Sequence, residues 1–262
     1  MKPSSMREHF RRIAPSYRDL RTTDLKPIAQ IAHYLLALPI ITLADIGCGA
    51  GRYTLELLRF LANRVRHIDC VDSSAAMLQQ LGEHLTQQGI KGFSTLKASA
   101  MALPIPSLSL TGVLTFNALH HFKLPLFLRE TARVLQHGGY LFMYTRTRSQ
   151  NARNIWGRLF PLFKEKETRL YELPELEAAL GGVPQLQLQA VHSYQYERAS
   201  TIERLVAQAR ARHYSTFSLY GPREFERALQ TFQINLRRHF PDLQNIRWWD
   251  ENLMLIARKG VS

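Results

Sequence analysis

The stretch Asp45-Ile46-Gly47-Cys48-Gly49-Ala50-Gly51 is where residue type and spacing point most directly to chemistry. The apolar run ITLADI leads into it and RYTLELLRFLANR follows, so the loop reads as the turn from a buried strand into a helix. Glycines at such a turn adopt backbone angles closed to other residues and let a ligand approach the main chain. The carboxyl edge of an open α/β sheet is where ligands bind. A tight structural turn would use the same glycines. Asp72 ends the next apolar segment, HIDCVD, and a carboxylate there can accept from both hydroxyls of a ribose. Asp72 is also placed to cap the helix that begins at SSAAML, although Ser73 can take that task. A dinucleotide would need its pyrophosphate at the helix N-terminus. Asp45, just ahead of the loop, repels a pyrophosphate and suits a ligand carrying an ammonium and a sulfonium.

His120 and His121 follow the fourth expected strand, and either could act as a general base near neutral pH. A structural histidine is the alternative for each. Tyr17, Tyr144 and Trp156 could present aromatic faces to a cation, or pack in the core. Arg146, Arg148 and Arg153 follow the fifth expected strand and could hold a carboxylate or phosphate on a substrate; a solvated basic face is the alternative. Further on, His213 and Tyr214 stand among Arg204, Arg210, Arg212 and Arg223. The two cysteines, Cys48 and Cys70, lack metal-ligand spacing, and no metal site is expected.

These residues need elements to carry them. Residues 5–38 read as helix, closed by Pro39. HIDCVD, FSTLKAS, LTGVLTFNAL and YLFMYTRT continue the strands after ITLADI. SSAAMLQQLGEHLTQQG and LPLFLRETARVLQHGG read as helices stopped by glycine. Strands alternating with helices imply a parallel sheet with right-handed crossovers, covered on both faces. Beyond Thr147 the pattern changes. NARNIWGRLFPLF is amphipathic and aromatic, LPELEAALGG is a short helix, and LQLQAVHSYQY alternates like a strand. Two helices, TIERLVAQARARHYSTF and PREFERALQTFQINLRRHF, precede a last strand, NIRWWDENLMLIARKG. Phe225, Leu229, Phe232, Leu236 and Phe240 make one apolar stripe on the second of them, which reads as packing.

The chain has 262 residues, 45% of them hydrophobic and 21% charged, enough for a sizeable core. Its net charge of +13 would attract nucleic acid, anionic lipid or an acidic small molecule. The basic residues are spread along the chain, with no basic arm. The start, MKPSSMREHFRRIAPSYRDL, has no apolar segment of signal-peptide type, and no run is long enough to span a bilayer. A cytoplasmic protein is the expectation; the sequence does not give the oligomeric state.

LADIGCGAGRYTLELL resembles motif I of the class I S-adenosylmethionine-dependent methyltransferases, and CVDSSAAML resembles their second motif. VLTFNALHHF and FLRETARVLQHGGYLFMYTR are similar to the fourth- and fifth-strand motifs of the subgroup containing the ubiquinone and menaquinone C-methyltransferases. HFRRIAPSYRDLR is similar to that subgroup's opening segment. The resemblance is strong from Met6 to Arg146. It implies S-adenosylmethionine as cofactor, with Asp45, Gly47, Cys48, Gly49 and Gly51 along its methionine part and Asp72 on the ribose. Ser73, Met77, Ser99, Ala100 and Met101 would border the adenine, Asn117 would approach the methionyl end, and Tyr17 with Arg21 would cover the donor. Ser99 stands where the family usually has an aspartate accepting from the adenine amino group.

The expected fold is α/β and Rossmann-like: a mostly parallel seven-stranded sheet with helices on both faces and a helical cap. It comprises one domain over 1–262, with an N-terminal cap at 1–38, a donor-binding core at 39–147, an aromatic helical segment at 148–184 and a lid insertion at 197–243. The opening segment, the stretch around Trp156 and the inserted helices are expected on the carboxyl edge. There Tyr144, Arg146, Trp156, His213 and Tyr214 would meet the acceptor, and His121 or His120 would take a proton. The expected activity is methyl transfer to a small organic acceptor, acidic or lipid-like. RNA as the acceptor, or an adenosyl-binding regulator without turnover, are the alternatives.

Overall fold

The computed structural model describes residues 22–260. Tyr17 and Arg21 lie outside the described residues. The strands are β1 Ile41–Ile46, β2 Val65–Asp72, β3 Phe93–Lys97, β4 Leu110–Phe116, β5 Leu135–Thr145, β6 Leu186–Ser200 and β7 Ile246–Lys259. They make one seven-stranded sheet in the order β3-β2-β1-β4-β5-β7-β6. The pairs β1–β2, β2–β3, β1–β4 and β4–β5 are parallel, and β5–β7 is antiparallel. This is the expected Rossmann-like arrangement. The chain runs outward from β1 through β2 to β3, then returns to β4 on the other side of β1. The loop after β1 therefore opens at the point where strand order reverses, the usual ligand position in such sheets.

Two compact units divide the chain. The first contains residues 22–145, 173–192 and 253–260, and the second contains 146–172 and 193–252. These boundaries differ from those read in the sequence. The first helix belongs with the donor-binding core instead of a separate cap, and residues 173–184 separate from the aromatic segment that precedes them.

In the first unit, α1 (Leu25–Leu36) buries Pro27, Ile28, Ile31, Ala32 and Leu35 at helical spacing. Leu35 lies on β4, where Gly112 leaves it room: a Cβ there would come within 3.2 Å of Leu35 and 2.8 Å of Leu43. All seven residues of β4 are buried, as a strand covered on both faces requires. The helices α2 (Arg52–Leu61) and α3 (Ala75–Gln87) follow β1 and β2, and α4 (Leu124–Val134) precedes β5. The sequence reads α4 as running up to Gly138 and Gly139. It stops at Val134 instead, because Leu135 already pairs with Leu110 of β4. Gly138, at φ +78°, is incompatible with a helix. The buried ammonium of Lys259 on β7 closes α4, donating to the carbonyls of Ala132 at 2.6 Å and Leu135 at 2.8 Å. Its burial lowers the Lys259 pKa.

The second unit carries α5 (Arg148–Arg153), α6 (Ile155–Leu159) and α7 (Phe163–Lys166); α8 (Leu173–Gly181) is in the first unit. It also carries α9 (Ile202–Arg210) and α10 (Pro222–His239), placed between the last two strands as the sequence implies. Trp156, Phe160, Phe163, Phe217 and Phe232 form its buried core. The α10 stripe faces that core through Phe225, Leu229, Phe232 and Leu236. Among the described residues no helix is long and apolar enough to cross a membrane.

Candidate functional site

The loop after β1 is built by three glycines in left-handed conformation: Gly47 at φ +73°, Gly49 at +55° and Gly51 at +79°. At two of them the lack of a side chain serves packing within the chain. A Cβ on Gly47 would stand 2.6 Å from the Ala118 Cβ and 3.0 Å from the Phe122 ring. On Gly51 it would stand 2.7 Å from Leu81 on α3. The loop thus folds tightly onto the end of β4 and the helix after β2, leaving its own amides to be organised by other groups.

Asp72 organises them. Its Oδ2 accepts from the Gly49 N–H at 3.0 Å and its Oδ1 from the Ser74 N–H at 2.8 Å. The Val71 carbonyl takes the Gly47 and Cys48 N–H groups at 2.8 and 3.2 Å. The end of β2 therefore holds the loop from one side. A carboxylate offers about four acceptor sites, so capacity for a ribose hydroxyl remains beside these N–H groups. Burial raises the Asp72 pKa, opposed by the N–H groups of Ser74, Gly49 and Ser73. The helix cap falls one residue later than the sequence suggests. Ser74, and not Ser73, caps α3, its hydroxyl accepting from the Met77 N–H.

Asp45 sits beneath the loop, 1% exposed. Its Oδ2 accepts the Thr54 hydroxyl at 2.6 Å, while Oδ1 is buried with no hydrogen-bond partner. Burial pushes its pKa up to about 7; the Thr54 hydrogen bond lowers it and the Asp72 charge raises it. A buried carboxylate oxygen without a donor is expensive, and a cationic ligand at this loop would relieve it. Cys48 is half-buried, and burial, then Cys70, Asp45 and Asp72, push its thiol pKa well up, so it is no nucleophile.

The adenine-side residues gather beside Asp72. The Ala98 N–H donates to the Asp72 carbonyl at 3.2 Å, fixing the turn that carries Ser99, Ala100 and Met101. Met77 and Ala100 are buried, and Ser99 is exposed. The Ser99 hydroxyl turns to its own loop, accepting from the Met101 N–H at 3.2 Å. It does not stand out as a replacement for the family's aspartate.

Asn117 follows β4 at φ +54°, a conformation asparagine tolerates, and its N–H donates to the Tyr144 carbonyl at 2.7 Å. His120 and His121 occupy the short turn after it, their ring centroids 3.9 Å apart. That turn runs between Ala118 and Phe122, the two residues pressed against Gly47, so the histidine pair adjoins the glycine loop.

The remaining sequence candidates are engaged elsewhere. Tyr144 is fully buried, and its hydroxyl donates to Asp24 at 2.8 Å, so it packs and does not line a surface. Arg146 is paired with Asp250 at 3.2 Å and donates to the Glu251 carbonyl. Arg153 pairs with Glu251, and Arg148 donates to the Leu170 carbonyl at 2.6 Å. Acids of β7 thus already pair with two of the three arginines. Trp156 is 2% exposed, stacked on Phe232 with centroids 5.0 Å apart, and His213 lies against it at 5.1 Å. His213 Nδ1 is 2.9 Å from the Gln208 carbonyl, and Tyr214 packs on the same cluster. Trp156 and His213 are buried in the second unit, and Tyr214 is half-buried against them.

Asp24 is the residue that sequence reasoning missed. It stands just before α1, where an aspartate reads as an ordinary cap, yet it makes no cap bond. Among the described residues no group of histidine, cysteine, aspartate and glutamate could hold a metal ion.

Residues 44–143 match the family described as a methyltransferase domain. The carboxy-S-adenosyl-L-methionine synthase of Dichelobacter nodosus is 29% identical over 111 residues, which cover 41% of this chain and 45% of that protein. The chain spans less than half the length of the curated relatives it matches. Among solved structures, the YcgJ protein of Bacillus subtilis aligns at TM-score 0.65 and 17% identity, covering 91% of this chain and 100% of that one. The geranyl diphosphate C-methyltransferase of Streptomyces coelicolor, solved with S-adenosyl-L-homocysteine, aligns at TM-score 0.54 and 16% identity, covering 88% and 76%. The fold is that of the class I methyltransferases, and the family match over residues 44–143 is to a methyltransferase domain.

Proposed function

We propose that this chain transfers the methyl group of S-adenosylmethionine to a small organic acceptor. The observation that carries the reading is the loop Gly47–Gly51, laced to Asp72 and underlain by a buried Asp45 oxygen that lacks a donor. The residues present fit the cofactor. Asp45 offers a carboxylate toward its cationic end, and Asp72 has lone pairs for its ribose. Gly47, Cys48, Gly49 and Gly51 would lie along the methionine part, Asn117 near the methionyl end, and Ser73, Met77, Ala100 and Met101 around the adenine. The bound cofactor supplies a sulfonium methyl group open to in-line attack.

The chain's own part is alignment, exclusion of water and proton handling. Asp72 and the Val71 carbonyl fix the loop, and Gly47 and Gly51 let it close on Ala118, Phe122 and Leu81. Where the acceptor must lose a proton, His121 or His120, in the turn between Ala118 and Phe122, would take it. The Streptomyces protein acts on a small isoprenoid diphosphate, and the Dichelobacter protein makes a small adenosyl compound. Both support a small acceptor.

The test is to incubate the chain with methyl-labelled S-adenosylmethionine and a cell extract, then separate small molecules, RNA and protein. Label is expected in the small-molecule fraction. Label confined to RNA would replace this reading with the RNA alternative, and no transfer to any fraction would favour a regulator.

A further inference from the structure

We propose that Asp24 is a positioning residue for donor binding: through two tyrosine hydroxyls its carboxylate fixes both loops that flank the cofactor. The inference rests on the function proposed above and concerns the same site.

Asp24 is 7% exposed, and its side chain makes no cap hydrogen bond to the helix it precedes. Its Oδ2 instead accepts from the Tyr144 hydroxyl at 2.8 Å and the Tyr53 hydroxyl at 3.4 Å. Those tyrosines are placed differently along the chain. Tyr53 lies two residues beyond Gly51, in the first turn of α2. Tyr144 ends β5, and its carbonyl receives the Asn117 N–H. The Tyr53 ring stacks on Phe116, centroids 4.3 Å apart and planes within 2°, and Phe116 directly precedes Asn117. One carboxylate thus joins the exit of the glycine loop to the turn after β4.

Arg52 strengthens the same junction. Its guanidinium lies 4.6 Å over the Tyr53 ring and donates to the Thr22 carbonyl and, at 3.3 Å, to the Thr23 hydroxyl. Asp72 holds the loop from β2, and Asp24 holds its other end from the segment ahead of α1. A plain helix cap would explain neither the bonding nor the burial. An acceptor shared by two hydroxyls from separate elements is a device for fixing their spacing. Losing it leaves both hydroxyls buried without that acceptor and frees Tyr53, and with it the end of the loop.

The experiment measures S-adenosylhomocysteine affinity by calorimetry for the full chain and for Asp24→Ala, Asp24→Asn, Tyr144→Phe and the Asp24→Ala/Tyr144→Phe pair. Each is measured well below its own unfolding midpoint. Asp24→Ala should weaken binding by about tenfold or more, the effect of a lost hydrogen bond to a charged group. Asp24→Asn should regain most of it, because the amide oxygen still accepts. The double variant should bind no more weakly than Asp24→Ala, since Tyr144 acts through Asp24. Affinity within about twofold of the parent in Asp24→Ala, even with a lowered unfolding midpoint, overturns the proposal and leaves Asp24 structural. If Asp24→Ala does not fold, Tyr144→Phe decides: roughly threefold weaker binding supports the proposal and unchanged binding overturns it. A parent chain that fails to bind S-adenosylhomocysteine overturns the functional reading itself, and this inference with it.

Discussion

Asp45 makes stability and donor binding respond to pH in opposite directions. Its folded pKa of about 7 lies above the ordinary 3.8, so the folded state holds the proton more tightly than the unfolded chain. The stability this confers is full below the unfolded pKa and is lost as pH rises toward 7. Linkage over the shift from 3.8 to about 7 gives a loss of about 2.5 kcal/mol between pH 5 and pH 8. Asp72, also raised by burial, adds in the same sense. Asp45→Asn removes the titrating group and keeps an oxygen for the Thr54 hydroxyl. Urea unfolding at the two pH values should therefore show a smaller fall in the variant, by about that amount. Binding runs the other way. A ligand bearing a sulfonium and an ammonium favours the ionised carboxylate, so S-adenosylmethionine affinity should rise about tenfold from pH 6 to pH 8 in the parent. In Asp45→Asn it should stay nearly flat. Identical pH dependence of unfolding in parent and variant would refute the assignment of a raised pKa to Asp45.

Gly51→Ala should cost about 2–4 kcal/mol in urea unfolding, since the new methyl meets Leu81 in a left-handed backbone. Trp156→Ala should destabilise by about 3–5 kcal/mol in urea unfolding, the cost of emptying a buried aromatic site. Binding to bulk tRNA should be weak and fall steeply between low and physiological salt, as phosphate contacts do; salt-resistant binding to one RNA would reverse the preference for a small acceptor.

The alternation of strand and helix was readable because buried parallel strands are continuous apolar runs, as in β1 and β4, and because glycines and serines mark the helix ends. The glycine loop and Asp72 were readable because both depend on local geometry at a strand end. The end of α4 was misread because pairing of Leu135 with β4 overrode its local helical pattern. Tyr144 and Trp156 stayed open between site wall and core because hydropathy does not separate an aromatic core from an aromatic wall. Arg146 and Arg153 looked available because Asp250 and Glu251 lie about a hundred residues away in sequence. Asp24 was invisible for the same reason: its partners, Tyr53 and Tyr144, are 29 and 120 residues distant.

The central claim is that Gly47–Gly51 and Asp72 form an S-adenosylmethionine site. Calorimetric titration of S-adenosylhomocysteine and of a nicotinamide dinucleotide into the parent chain and Asp72→Ala tests it most directly. The parent should bind S-adenosylhomocysteine and not the dinucleotide. Asp72→Ala should weaken binding by roughly 1.5–3 kcal/mol, about tenfold to a hundredfold, the worth of hydrogen bonds to a charged group. Dinucleotide binding by the parent, or S-adenosylhomocysteine affinity unchanged in Asp72→Ala, would contradict it.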